Sequence, residues 1–89
     1  MDVVALPRDH GVLRYLFVTS RRVGNAVVRN RVRRRLREAV RALRDETKPG
    51  HDIALVSFPT AASADYRELA SELRRIMERA GLLAVGPGA

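Results

Sequence analysis

Hydrophobic and polar residues follow two different periods along this chain, and each stretch of constant period predicts one element. Residues 13–20, Leu-Arg-Tyr-Leu-Phe-Val-Thr-Ser, are rich in aromatic and β-branched side chains and predict a strand. Leu13, Tyr15, Phe17 and Thr19 fall on one face, and Arg14, Leu16, Val18 and Ser20 on the other. Both faces are largely apolar, which predicts a strand in the middle of its sheet. After Gly24 the period becomes helical. With Asn25 as N-cap, Val28, Val32, Leu36, Ala39, Val40 and Leu43 form one stripe, an arc of about 120° at about 100° per residue. Lys48-Pro49-Gly50 ends that helix. Residues 52–58 then give a second strand through Ile53, Ala54, Leu55 and Val56, closed by Pro59. A second helix is expected from an N-cap at Ser63, with Asp65 and Glu68 favourable at its positive end. Its stripe is Tyr66, Leu69, Ala70, Leu73, Ile76, Met77 and Ala80, which makes Tyr66 a core residue, and Gly81 suits the C-terminal cap. Ahead of these elements, residues 3–6 are β-prone, Pro7 stops them, and residues 8–11 read as a turn.

Strand, helix, strand predicts a parallel pair joined by a crossover. At 89 residues the chain is expected to be a single domain, 1–89, with its core over about 13–81 and a flexible tail over 82–89. The longest apolar runs are far below the roughly 20 residues that a membrane helix needs. No basic region followed by an apolar run opens the chain, so a cytoplasmic protein without a membrane partner is expected. With no cysteine, disulfides, thiolate metal sites and cysteine nucleophiles are excluded.

Charge changes the picture most. Ten of the seventeen basic residues lie between Arg21 and Arg44, against the single acid Glu38, while the rest of the chain carries nearly balanced signs. The formal charge of +7 therefore belongs to one segment, and points to a polyanion met by one face. On the predicted helix Arg33, Arg37 and Arg41 stack at i, i+4 spacing with almost no acid beside them. Such a row is self-repelling until phosphates arrive. Sixteen of the seventeen bases are arginine, which suits forked phosphate contacts, and a GC-rich coding sequence produces the same bias. Asn30, between Arg29 and Arg31, has an amide able to donate and accept, as a base edge or 2′-hydroxyl requires; alone it reads as ordinary surface. Arg21 and Arg22 either clamp phosphate where strand meets helix or are loop surface. Tyr15 and Phe17 are candidates for base stacking, with core packing the favoured use. His10 and His51 read as surface, with no second ligand to complete a metal site. Neither a nucleophile motif nor a paired-acid arrangement is visible, so catalytic side chains are not expected.

The run RRVGNAVVRNRVRRRLREAVR over residues 21–41 resembles the protein subunit of bacterial ribonuclease P. The likeness rests on Val23-Gly24-Asn25-Ala26-Val27-Val28, on the Arg29-Asn30-Arg31 signature, and on Arg33, Arg34, Arg37 and Glu38. It extends over about 13–81 through Arg14, Ser20, Pro49-Gly50, Asp52 and Asp65-Tyr66-Arg67-Glu68-Leu69. The resemblance implies an α+β fold, a two-layer sandwich in which a small sheet of about three strands packs on two helices, with a left-handed crossover and a basic helix that binds the catalytic RNA subunit. It also implies a cleft between sheet and helix for the precursor-tRNA 5′ leader, with Tyr15 and Phe17 as candidate cleft residues. Mg²⁺, bound by the RNA partner and substrate, would serve leader removal by that RNA. Arg21, Arg22, Arg29, Asn30, Arg31, Arg33, Arg34 and Arg37 are the residues implied to contact RNA, to which the row of unopposed charge adds Arg41, with no obligate protein partner. Leu16 stands where the family often has Gly. The family usually opens with an additional helix and strand, so this chain is expected to be a shortened subunit or a gene product begun at an internal Met. Two other readings remain: a structural or ribosomal RNA-binding protein without processing activity, and, less favoured, a DNA-binding regulator.

Overall fold

The computed structural model describes residues 1–8, 11 and 13–83. Its elements are β1 (Asp2–Pro7), β2 (Leu13–Thr19), α1 (Ala26–Ala42), β3 (His51–Ser57) and α2 (Tyr66–Arg79), with short 3-10 turns at Arg44–Glu46 and Pro59–Ala62. Three strands form one sheet in the order β1-β3-β2. β1 runs antiparallel to β3, from Asp2 opposite Val56 to Pro7 opposite His51. β2 runs parallel to β3, from Leu13 opposite His51 to Thr19 opposite Ser57. The strand-helix-strand pattern therefore produces the parallel neighbours it predicted, joined through α1.

β3 is the central strand, and the expectation for β2 is corrected: it lies at the sheet edge. Alternation explains the misreading. Ile53 and Leu55 of β3 pack with Ala39, Leu43, Leu73 and Met77 of the helix layer, joined on the same face by Val3, Ala5, Leu13, Tyr15 and Phe17. The opposite face has no helix among the described residues, so Leu16 is 63% exposed and Val4 51%. Apolar residues on both faces of a strand predict cover on both sides, and here one layer supplies it.

α1 begins where the sequence placed it. The Asn25 side chain accepts a hydrogen bond from the Val28 amide at 3.0 Å. Val32, Leu36 and Ala39 of its stripe are buried, and Leu43 caps its end. α2 begins two residues later than expected. Asp65 is its N-cap, accepting from the Glu68 amide at 2.8 Å while the Glu68 carboxylate accepts from the Asp65 amide at 3.3 Å. This capping box outweighs Ser63, whose hydroxyl instead donates to the Thr60 carbonyl and closes the preceding turn. Tyr66 thereby becomes the first helical residue, 38% exposed and outside the core, while Leu69, Leu73 and Met77 carry the buried stripe.

Leu82 and Leu83, read from sequence as part of the tail, are buried, and Leu83 bridges to Thr47. Residues 84–89, His10 and parts of the turn expected over 8–11 lie outside the described residues.

Candidate nucleic-acid interface

The buried stripe of α1 divides its arginines into two rows. At about 100° per residue, Arg31 and Arg35 border one side of the stripe, and Arg33, Arg37 and Arg41 continue from the other. Arg37 and Arg41 of the second row stand beside β2. Because β2 is an edge strand, its helix-facing side chains are only partly covered by α1, and a groove of about 250 Å³ remains. Leu13, Tyr15, Phe17, Arg37, Val40, Arg41 and Arg44 line it.

Two aromatics form the floor. Tyr15 and Phe17, two apart on one strand face, stand with ring centroids 6.2 Å apart and planes 15° from parallel. The Arg37 guanidinium carbon lies 5.7 Å from the Phe17 ring centre, within reach of a cation–π attraction. Burial pushes the Tyr15 phenol above its ordinary value, although Arg44 acts in the opposite direction, so the hydroxyl stays protonated at neutral pH. Both rings are half-buried. They pack against the core and line the groove together, which joins two uses that the sequence set against each other.

The other candidate residues are spread around α1 and the turn before it. Arg21 and Arg22 are exposed in a turn fastened by hydrogen bonds from the Val23 amide to the Ser20 carbonyl and from the Gly24 amide to the Arg21 carbonyl. Arg34 is exposed and Arg29 half-buried. Arg33 donates to the Asn30 side-chain oxygen at 3.1 Å, which orients the guanidinium and leaves the Asn30 amide nitrogen as that side chain's donor. Arg31 is half-buried and donates to the Ala62 carbonyl at 3.1 Å. Ion pairs among the described residues lie elsewhere: the Met1 ammonium with Glu72, Asp52 with Arg8 and Arg14, and Arg74 with Glu46 and Glu78. The row Arg33, Arg37 and Arg41 thus carries its charge without a carboxylate partner, a field suited to closely spaced phosphates.

Arg44 and Val40 complete the groove and were not singled out from sequence. Arg44 lies beside Arg33 and Arg37 in angular order around the helix, so its placement was legible there. Arg35, which donates to the Ala64 carbonyl at 2.8 Å, carried no sequence signal that separated it from its neighbours. His51 is half-buried, with Nδ1 3.0 Å from the Pro49 carbonyl. Among the described residues no group of three or more His, Cys, Asp or Glu is placed to hold a metal, and no helix is long and apolar enough to cross a membrane.

Fold and surface together define a small two-layer α+β protein whose arginine-faced helix flanks an aromatic groove, an arrangement suited to a nucleic acid. The family model described as Ribonuclease P matches residues 1–81, and the chain belongs to that family. The ribonuclease P protein component of Roseiflexus castenholzii is 39% identical over 80 residues, covering 89% of this chain and 66% of the relative. That of Symbiobacterium thermophilum is 43% identical over 67 residues, covering 75% of this chain and 58% of the relative. The chain thus spans less than two thirds of the length of these relatives. A solved Staphylococcus aureus RNase P protein superimposes with a TM-score of 0.82 at 21% identity, covering 90% of this chain and 73% of that one. At that identity the likeness is one of fold.

Proposed function

We propose that this chain is the protein subunit of a bacterial ribonuclease P, binding the catalytic RNA and precursor tRNA in the cytoplasm and assisting removal of the 5′ leader. The observation that carries this reading is the unpaired row Arg33, Arg37 and Arg41 beside the Tyr15–Phe17 groove. In this reading the row, with Arg34, Arg21, Arg22 and the Arg29-Asn30-Arg31 signature, neutralises phosphates of the RNA. The groove takes the single-stranded leader, whose bases stack on the two rings; such stacking is worth about 1–3 kcal/mol per base.

Mg²⁺ belongs to the RNA and substrate in this reading. The groove wall is arginine, which repels a cation, so the chain's own residues fit phosphate and do not fit a metal ion. The metal supplies the charge stabilisation for hydrolysis in the RNA. The protein holds the substrate and lowers the repulsion between the two RNAs.

Reconstitution tests the proposal. The purified chain is added to a bacterial ribonuclease P RNA at low Mg²⁺, and cleavage of a precursor tRNA with its leader is followed. Faster cleavage at the mature 5′ end is the expected result. RNA binding without any stimulation would leave a binding protein and remove the processing role.

A further inference from the structure

The two arginine rows of α1 are chemically alike and structurally different. Arg33, Arg37 and Arg41 leave their charge to the groove side. Arg31 and Arg35, one turn apart on the other border of the buried stripe, each spend a guanidinium nitrogen on a backbone carbonyl: Arg31 on Ala62 at 3.1 Å and Arg35 on Ala64 at 2.8 Å. Both bonds are partly buried and join residues about thirty positions apart.

Their acceptors lie in one short connection. After β3, the chain makes the 3-10 turn Pro59–Ala62 and reaches the N-cap Asp65 within three residues. That connection is held internally by hydrogen bonds from the Ala61 amide to the Phe58 carbonyl, from Ser63 to Thr60 and from Ala64 to Ala61. The Ala62 and Ala64 carbonyls take no part in those turns. Ala61 inserts between the helices in a core cluster with Val32 and Leu36 of α1 and Leu69 of α2. Where the connection sits therefore decides where α2 starts and how it packs on α1. Hydrogen bonds from charged donors are stronger than neutral ones, and partial burial shields them from water.

We infer that Arg35 is a positioning residue: its guanidinium fastens the connection before α2 to α1 and so holds the RNA-binding face of α1 in its working orientation. Arg31 makes the same tie through Nη2, and with its Nε buried it has only Nη1 left for RNA. The inference extends the proposed RNA-binding reading and rests on it for its functional half. Its structural half stands on the two carbonyl bonds.

The test compares Arg35→Met, which removes both charge and donor while keeping chain length, with Arg37→Met on the groove side. Two quantities are measured well below the unfolding temperature. One is amide hydrogen exchange at Ala61, Ser63, Ala64 and Glu68. The other is affinity for a bacterial ribonuclease P RNA transcript across a salt series. Arg35→Met is expected to speed exchange at those amides and to weaken RNA binding several-fold, with the slope of log K against log[salt] unchanged. Arg37→Met is expected to flatten the slope and leave exchange alone. A loss of stability without loss of positioning would not change the affinity of the folded protein.

A slope flattened by about 0.7–0.9 in Arg35→Met would make Arg35 a phosphate contact and overturn the inference. Unchanged exchange, or unchanged affinity, would overturn it too. If the unmodified chain bound no RNA, the proposed function would fail, while the exchange comparison would still decide whether the clamp exists.

Discussion

Gly24 lies against the helix it introduces. A Cβ built there would sit 2.8 Å from the Val28 Cβ, on the first residue of the stripe, and the backbone φ of +156° adds to the misfit. Gly24→Ala must therefore displace Val28 or tilt the start of α1, which carries the whole signature. The expected cost is about 1–3 kcal/mol, read from urea unfolding of the variant against the parent chain. A variant as stable as the parent would mean that the entry to α1 adjusts freely. At this scale much of the site was legible. Asn25 was recognisable as a cap, because an Asn ahead of a helical stripe satisfies an orphan amide. Tyr66 was misread because Ser63 and Asp65 are both good caps. The deciding feature, Glu68 three residues beyond Asp65, was in the sequence all along. The carbonyl partners of Arg31 and Arg35 were not legible, since a local pattern carries no trace of a backbone atom thirty residues away.

Between elements, charge fixes what apolar packing leaves loose. Arg74 of α2 grips Glu46 in the turn after α1 with two hydrogen bonds, at 3.1 and 2.8 Å. Those bonds hold the Glu46 carboxyl below its ordinary value of 4.5. The folded state thus favours the ionised form. The resulting stability is present above the unfolded value and lost as pH falls through the folded one. Glu46→Gln should lower the urea midpoint near neutral pH, and the difference from the parent should shrink as pH drops into the acid range below Glu46's ordinary value. Since the Glu46 and Arg74 side chains still reach solvent, salt should shrink the difference as well. A difference independent of pH would assign the effect to packing. The position of β2 also belongs to this scale. Leu16 and Val18 are as apolar as core residues, and strand alternation reports side-chain character without revealing how many layers are available to cover it.

In the whole molecule, a two-layer fold gathers on one helix most of the charge that the sequence shows concentrated between Arg21 and Arg44. The sheet and α2 bury the apolar stripe of α1, so the charge on its remaining surface is cationic apart from Glu38. Because β2 is an edge strand, a groove with an aromatic floor opens beside that surface. The basic helix and the strands on either side of it followed from periodicity and charge, and the α+β class from the likeness to the family. The groove came from that likeness alone, because it depends on the strand order, which periodicity does not give and the pairing of both β1 and β2 with β3 determines. The role proposed for Arg33, Arg37 and Arg41 is that of counterions to RNA phosphates. It is tested most directly by binding of a bacterial ribonuclease P RNA across a salt series, comparing the parent chain with the triple variant Arg33→Gln, Arg37→Gln, Arg41→Gln. Each lost phosphate contact should flatten the slope of log K against log[salt] by about 0.7–0.9, so the triple variant should be flatter by about 2–3. A triple variant that binds more weakly with the parent's slope would contradict the claim.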